Sequence, residues 1–225
     1  MIKNITNLGD SAIYCDFGKE VNKQINSNVI KYFKNIKEKK INGVINLTPS
    51  YNKLIISFDL SKINFKEIRD IILNLKIKDF ESDKGKTVNV PVCVDDNFSL
   101  DLKRLSEKLN INFDSILEIF FKKKYFCYMT GFVAGMPFLG DIDQKIRLKR
   151  LETPRVKVPK GSIGITEQFC NIYTYESPGG WNIIGNTPVK IFDKFNEKNP
   201  TKINPGDQVS FFQINKSEYC KLNND

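Results

Sequence analysis

The sequence predicts an α+β protein, with an N-terminal ferredoxin-like α/β sandwich followed by a β-barrel or β-sandwich. Up to residue 94, amphipathic segments follow one another in the order β-α-β-β-α-β, which is that of a split βαβ, ferredoxin-like fold. Beyond Tyr125, short apolar runs alternate with Gly and Pro, which is typical of an all-β barrel or sandwich. We therefore expect two domains, residues 1–94 and residues 95–225.

Apolar periodicity defines the first four elements. Apolar and polar residues alternate over residues 12–17, which predicts a half-buried strand. Apolar residues then recur at helical spacing over residues 21–40, which predicts an amphipathic helix. Two strands are expected next, at residues 44–47 and 54–58, separated by a turn that contains Pro49.

The last two elements of the first domain are a helix and a strand. Asn64 followed by Glu67 matches the capping-box pattern, so a helix is expected to begin there and to end near Leu75. Alternating valines predict a strand over residues 88–94. This strand would complete the ferredoxin-like sandwich.

The second domain begins with a helical linker and continues as a β-rich region. After residues 95–98, leucines at positions 102, 105 and 109 mark one short helix, and apolar residues from Phe113 to Phe121 mark another. Residues 204–207 indicate a tight turn before the final strand. The expected strands are residues 162–165, 171–175, 189–192 and 209–214.

Composition favours a cytoplasmic protein. The 225 residues are 40% hydrophobic, yet no apolar run approaches the roughly 18 residues of a membrane span. The chain starts without an apolar stretch of signal-peptide type. Its five cysteines are scattered singly, which argues against a disulfide framework or a zinc cluster, and we expect Cys15, Cys93 and Cys127 to be buried thiols.

Two features of the composition exclude classes of function. The chain has no histidine, which excludes Ser-His-Asp and Cys-His catalysis and His-ligated zinc. The net charge of +9 comes mainly from lysines that alternate with glutamates along solvated faces. We therefore expect neither a nucleic-acid partner nor a membrane partner, and we assign no metal ligand.

Three segments rich in Gly and Pro stand out in the second half, at residues 131–141, 154–165 and 177–188. The third contains Trp181, the only tryptophan, next to the paired glycines Gly179 and Gly180. Glycines allow a ligand or another backbone to approach closely, and tryptophan supplies a flat wall. These segments predict the rim of a pocket. No P-loop pattern for nucleotide phosphates is present.

These segments resemble the signatures GFxPGFxYLG, PRxxVPxGSVGI and SPGGWxxIGRTP of the family of 5-oxoprolinase B subunits, also described as KipI-like or allophanate hydrolase subunit 1. The resemblance covers essentially the whole chain, including Leu8-Gly9-Asp10 and Pro205-Gly206-Asp207. It implies a cyclophilin-like C-terminal β-barrel. It also implies ATP-dependent opening of 5-oxoproline to glutamate, together with a carboxyltransferase-like subunit and a third oxoprolinase subunit. ATP would then belong to the complex, since no nucleotide site is evident on this chain.

The chain departs from the family pattern at several polar positions. Phe120 stands where the family usually has His, Phe169 where it has Gln, and Asn186 where it has Arg. Glu167 and Asn171 replace two usual glycines. These departures favour an alternative, a non-catalytic KipI-like inhibitor of a sporulation histidine kinase or a degenerate regulatory paralogue.

The candidate substrate-binding residues lie in or near the three segments. Arg155 is a planar fork suited to a carboxylate, although it could equally form a surface salt bridge. Asp141 and Asp143 could serve as an acid or a base, but with no partner visible they are interpreted as solvated loop carboxylates, and no catalytic residue is assigned. The candidates are Arg155, Ser162, Tyr173, Ser177, Gly179, Gly180, Trp181, Asn186 and Thr187.

Overall fold

The computed structural model describes residues 1–79 and 85–223, and the chain divides after residue 84 into two compact units. In the first unit, four strands form an antiparallel sheet in the order β1-β2-β4-β3, and two helices follow β2 and β4. The elements are β1 (Asn4–Asn7), β2 (Ala12–Asp16), α1 (Lys23–Lys39), β3 (Val44–Pro49), β4 (Lys53–Phe58) and α2 (Phe65–Leu73).

Alternate residues of the central strands β2 and β4 build the core of the first unit. Ile13 and Cys15 of β2 are fully buried, as is Ile56 of β4, and they pack in one cluster with residues of both helices. The predicted capping box is confirmed, since the Glu67 N–H donates to Asn64 Oδ1 at 3.0 Å and the Asn64 N–H donates to Glu67 Oε2 at 2.9 Å. This reciprocal pair satisfies two N–H groups at the start of α2.

The strand predicted at residues 88–94 forms, but its assignment to the first sheet was wrong. The observed strand β5 (Thr87–Cys93) lies in the second unit, where it pairs in parallel with a later strand over all seven residues. In the first unit, β1 lies beside β2 instead. Residues 90–93 are buried without alternation. Alternating valines indicate a strand but do not specify which sheet it joins.

The second unit is a closed seven-stranded barrel with the strand order β10-β7-β6-β13-β5-β12-β9, in which β9 also pairs with β10. Strands β8 and β11 form a separate two-stranded sheet. A short 3₁₀-helix follows β7 at Gln144–Ile146. The remaining elements are α3 (Leu102–Leu109), α4 (Phe113–Phe121), β6 (Lys124–Thr130), β7 (Pro137–Gly140), β8 (Arg155–Val158), β9 (Ser162–Thr166), β10 (Phe169–Ile172), β11 (Ser177–Gly179), β12 (Asn182–Asn186), β13 (Gln208–Ile214) and α5 (Lys216–Asn223).

Residues 189–192 were predicted as a strand, and this prediction was wrong. In the structure, the segment makes only one isolated β-bridge, between Phe192 and Thr201. Ile191 is buried against the barrel core although its backbone stays outside the barrel. The apolar run therefore reflects the burial of side chains beneath a loop rather than a ladder of hydrogen bonds.

The barrel core contains a stack of aromatic rings from α4 and two strands. The ring of Phe120 lies 5.1 Å from the rings of both Tyr125 and Phe211, measured between centroids. The hydroxyl of Tyr125 donates to the Phe120 carbonyl at 2.8 Å. Phe120, which stands where the family usually has His, is thus fully buried in the hydrophobic core.

The predicted burial of Cys15, Cys93 and Cys127 is confirmed, and no disulfide joins cysteines in the described parts of the chain. Burial raises the pKa of Cys15 to about 12 and raises that of Cys127 further, so these thiols stay protonated and unreactive at neutral pH. Within residues 1–79 and 85–223, none of the helices combines the length and the apolar character that a membrane span needs.

Replacing Phe120 by Ala should lower the free energy of unfolding of the second unit by about 3–5 kcal/mol, because it leaves a cavity among stacked rings. Trp181 is the only tryptophan and lies in the second unit, so its fluorescence during urea unfolding reports on this unit. Phe113→Ala is the control, since Phe113 begins the same helix and is 47% exposed. Equal effects of the two substitutions would contradict this description of the core.

Candidate functional site

A pocket of about 350 Å³ lies on the outer face of the barrel wall. Phe138 of β7 and Asn171 of β10 line it, whereas their neighbours Leu139, Cys170 and Ile172 point into the barrel core. The lining residues come from the three Gly/Pro-rich segments, from β10 and from two positions just outside them, Arg150 and Tyr173. They are Phe132, Met136, Phe138, Arg150, Pro154, Asn171, Tyr173, Pro178, Gly179, Gly180 and Trp181.

A small hydrophobic cluster outside the barrel supports the pocket. Met136, Tyr173 and Ile183 are buried together with Val158 of β8. The ring of Trp181 meets that of Phe138 edge-on, with centroids 5.6 Å apart and planes at 79°. Packing of this kind holds the aromatic walls in one arrangement, so the pocket is preformed.

Two glycines are required by close contacts within this wall. A Cβ on Gly179 would collide with the phenol oxygen of Tyr173, and a Cβ on Gly164 would lie 2.6 Å from Asn171 Oδ1. Gly180 is less constrained, because the nearest atoms to its Cβ would belong to Pro154 at 3.5 Å. The close approach predicted at the paired glycines is therefore found at Gly179. The group that approaches this glycine is the Tyr173 side chain of the protein itself.

Polar groups in the pocket are few. Asn171 is 2% exposed, its Nδ2 faces the sulfur of Met136 at 3.8 Å, and its Oδ1 has no hydrogen-bond partner among the described residues. Burial raises the pKa of Tyr173, while hydrogen bonds from the Asn171 side chain and the Trp181 backbone and the charge of Arg155 oppose this rise. The guanidinium of Arg150 is exposed at the rim, and within residues 1–79 and 85–223 no carboxylate is paired with it.

Arg155 does not line the pocket, because its guanidinium is held by a buried carboxylate. Its Nη2 lies 2.6 Å from Asp101 Oδ1, and the Asp101 side chain is only 4% exposed. The other oxygen, Oδ2, accepts the Ile183 N–H at 2.7 Å, and the Asp101 N–H donates to the Ile183 carbonyl at 2.8 Å. These contacts indicate a structural ion pair through Nη2, while Nη1 of Arg155 is buried without a hydrogen-bond partner among the described residues.

Ser162, Asn186 and Thr187 are buried in a separate polar network. Asn186 Nδ2 donates to the Lys160 carbonyl at 2.9 Å and to Ser162 Oγ at 3.4 Å, and Asn186 Oδ1 accepts the Tyr219 hydroxyl at 2.8 Å. Thr187 Oγ1 accepts the Val189 N–H at 3.2 Å. This network ties β12 to β9 and to helix α5, and its residues do not line the pocket.

Four of the nine sequence candidates therefore line the pocket, namely Tyr173, Gly179, Gly180 and Trp181. Ser177 lies nearby in β11, but its hydroxyl donates to the Tyr175 carbonyl at 3.3 Å. Sequence reasoning missed Arg150 and Asn171 as pocket residues. The cluster of three arginines at 147–155 and the unusual Asn171 were the available signals.

A second polar cluster lies further along the same outer face. Tyr128 donates to Asp141 Oδ2 at 3.0 Å, and Gln168 Nε2 donates to Asp141 Oδ1 at 3.3 Å. Burial, reinforced by the Asp141 charge, raises the pKa of Tyr128 well above its usual range. Phe169 packs edge-on against the Tyr128 ring. Asp141 lies in a loop and is partly exposed, as expected, and two side chains hold it in place.

A shallow cavity of about 490 Å³ adjoins this cluster. Arg147 and Lys149 line one side of it, and Glu167 to Phe169 line the other. Among the described residues, no group of three or more His, Cys, Asp or Glu side chains is arranged to hold a metal ion.

Comparison with known proteins shows the family of this chain. A family model for the carboxyltransferase domain, subdomains C and D, matches residues 3–203, which places the chain in this class of protein. Over 228 residues the chain is 32% identical to the B subunit of 5-oxoprolinase from Bacillus subtilis, an alignment that covers 96% of this chain and 94% of the relative. The chain belongs to the family of 5-oxoprolinase B subunits.

Solved structures show the same fold within longer chains. The chain matches the crystal structure of TTHA0988 with a TM-score of 0.80 and 26% identity, over 90% of this chain and 40% of that one. It also matches K. lactis urea amidolyase with a TM-score of 0.82 and 20% identity, over 98% of this chain and 15% of that one. The second likeness concerns the fold alone. This chain thus spans less than half the length of both solved proteins.

Replacing Arg155 by Ala should lower the free energy of unfolding of the second unit by at least about 2 kcal/mol, because it leaves the Asp101 carboxylate buried and unpaired. The full loss of about 3–5 kcal/mol for a buried pair is not expected, since Arg155 is partly exposed. Lys157→Ala in the same strand is the control, because its ion pair with Glu176 is exposed. Urea unfolding followed by Trp181 fluorescence compares the two variants, and equal midpoints would show that the Asp101 pair is not structural.

Gly179→Ala should distort the pocket, whereas Gly180→Ala should leave it intact. The new methyl at position 179 would displace the buried Tyr173 ring, at a cost of about 1–3 kcal/mol. The wavelength of Trp181 emission and thermal unfolding measure both variants. A normal Gly179→Ala protein would contradict the packing described for this wall.

Proposed function

We propose that this chain is the B-type subunit of a heteromeric, ATP-dependent 5-oxoprolinase that opens 5-oxoproline to glutamate. The observation that supports this most directly is the 32% identity to the B subunit of the B. subtilis 5-oxoprolinase over almost the full length of both chains. The substrate would bind in the outer pocket of the barrel, beside Trp181, Tyr173 and Gly179. In fold terms, we propose a cyclophilin-like barrel and a ferredoxin-like first unit whose edge strands are β1 and β3.

The partners in this proposal are a carboxyltransferase-like subunit and a third oxoprolinase subunit, in the cytoplasm, with ATP bound by a partner. The fold match to one part of the much longer urea amidolyase supports a unit that works beside other domains. Exposed apolar side chains around the pocket support a covering partner. Phe132 at the pocket and Val156 in β8 are 70% and 81% exposed, and such groups often mark interaction sites.

The second candidate function is that of a non-catalytic KipI-like inhibitor of a histidine kinase, or of a degenerate regulatory paralogue. The observation that favours it concerns the positions at which this chain departs from the family pattern. Phe120 is a core residue, Asn186 belongs to a buried network, and Phe169 packs on Tyr128. Side chains engaged in packing in this way supply no free polar group for chemistry.

Co-expression with the two proposed partner subunits tests the first function. We expect a complex that releases glutamate from 5-oxoproline only when ATP is present. Arg150→Gln should reduce kcat/KM roughly 10- to 100-fold if its guanidinium holds the substrate carboxylate. Lys157→Gln is the control, because Lys157 is an exposed cation in β8 outside the pocket.

The outcomes separate the two candidate functions. A complex that forms and hydrolyses 5-oxoproline supports the enzyme role, and an unchanged Arg150→Gln enzyme would remove Arg150 from the site. Failure to assemble with the carboxyltransferase-like subunit, together with inhibition of a histidine kinase by the purified chain, would support the second candidate.

A further inference from the structure

We propose that Phe132 is a ligand-contacting residue whose ring covers the apolar face of a small cyclic carboxylate bound in the outer pocket. Phe132 lines this pocket, and its side chain is 70% exposed and therefore open to a ligand. The inference rests on the proposed function, because it assigns a residue to the substrate pocket of the same chain. It adds a specificity-determining residue that the candidates from the sequence do not include.

The backbone at Phe132 is strained. Its φ is +67°, in the left-handed region, where the Cβ of any residue other than glycine is crowded. The Val133 N–H donates to the Gly131 carbonyl at 2.9 Å, which closes a three-residue γ-turn around Phe132. A γ-turn whose central residue has a positive φ is rare and strained. Glycine would adopt this conformation at lower cost, yet the glycine of the turn is Gly131, whose φ is not positive.

Contacts on both sides of Phe132 hold the turn in place. The Gly131 N–H donates to the Met136 carbonyl at 3.0 Å, and the Thr174 hydroxyl donates to the Ala134 carbonyl at 2.8 Å. A strained residue persists only where its surroundings fix it in this way, and such residues cluster at functional sites. The loop therefore presents Phe132 to the pocket from a fixed backbone.

The Phe132 ring adds little to the packing of the folded chain. It does not belong to the cluster of Met136, Val158, Tyr173 and Ile183 that supports the pocket. In the described parts of the chain, no aromatic ring stacks on it or meets it edge-on. Because the ring strains the backbone and packs on little, its stabilising contacts must come from a bound group.

The position of Phe132 favours a ligand over a partner subunit as that bound group. Phe132 and Val156 are both exposed, but only Phe132 lines the pocket. Val156 lies in strand β8 and has no positive φ. Among the described residues that line the pocket, Phe132 alone has a positive φ. The strain is thus found where a ring can meet the ligand.

The remaining pocket walls define the ligand. The rings of Trp181 and Phe138 meet edge-on at 79° and present an apolar corner. Arg150 is exposed at the rim and suits an anionic group. A volume of about 350 Å³ is at the small end of ligand sites. A compact ring with one carboxylate, such as 5-oxoproline, fits these walls, and its ring carbons would lie against Phe132.

The experiment titrates the full chain with 5-oxoproline in a calorimeter. Phe132→Ala and Phe132→Gly both remove the ring, and each should weaken binding roughly 10-fold, because the ligand then loses buried apolar area and a ring contact. Phe132→Tyr keeps the ring and should bind like the wild-type chain. Phe195→Ala is the control, since Phe195 is 80% exposed but lies outside the pocket.

Thermal unfolding of the two ring-deleted variants tests the strain separately from binding. Phe132→Ala keeps a Cβ in the left-handed region and Phe132→Gly does not. The Gly variant should therefore unfold at a temperature about 2–4 °C higher than the Ala variant. Equal unfolding temperatures would contradict the strained turn.

Kinetics of the reconstituted complex distinguish a ligand contact from a subunit contact. Phe132→Ala should raise the KM for 5-oxoproline roughly 10-fold and leave kcat unchanged, because an apolar ring binds substrate and transition state alike. Dissociation of the complex by this substitution would show that the ring anchors a partner, and it would overturn the inference.

Two further results would also overturn it. They are no binding of millimolar 5-oxoproline to the wild-type chain, or ring-deleted variants that bind as tightly as the wild type. Either result, combined with an active complex, leaves the proposed function standing. An inactive complex whose B-type chain still binds 5-oxoproline through Phe132 would reject the proposed function and keep the ligand contact.

Discussion

The buried carboxylate of Asp101 connects three parts of the second unit that are far apart in sequence. It accepts hydrogen bonds from the guanidinium of Arg155 on β8 and from the backbone N–H of Ile183 on β12. Asp101 itself lies immediately before helix α3. An ionised group in this position is tolerable only because each oxygen has a partner. The strand pair β8 and β11, which shapes the pocket wall, is thereby fixed to the barrel. This anchoring acts together with the hydrophobic cluster of Met136, Val158, Tyr173 and Ile183, which supports the mostly apolar pocket walls.

The parts of the fold that local chemistry determines could be read from the sequence. The capping box joins Asn64 and Glu67, which are only three positions apart in the sequence, and it is present as expected. The valine-rich segment at 87–93 shows the opposite case. Its alternation indicates a strand, but its partners are β12 and β13, more than ninety positions later in the chain. No local pattern encodes such pairing, which depends on how the complete barrel closes.

In the candidate site too, features that depend on local sequence were predicted, and features that depend on distant partners were not. The glycine-rich turn around Trp181 was recognised because backbone geometry requires particular residue types there. The sequence left Arg155 open between a carboxylate site and a salt bridge, because its partner Asp101 is distant in sequence and gives no signal in the Pro-Arg motif. The contacts of Asp141 could not be predicted for the same reason, since Tyr128 and Gln168 approach it only through strand pairing. Residue type suggests chemistry, whereas the partner decides whether that chemistry is free for a ligand.

The parallel pairing of β5 with β13 has a consequence for how the protein is made. These strands open and close the second unit, and near their starts the Lys86 N–H bonds to Asp207 across 121 residues. Contacts of such long range are slow to form, because loop closure must precede any gain from them. On the ribosome, the barrel cannot close until the final strand has left the exit tunnel. Until then the apolar edges of the unpaired barrel strands are exposed, and chaperones can bind to them.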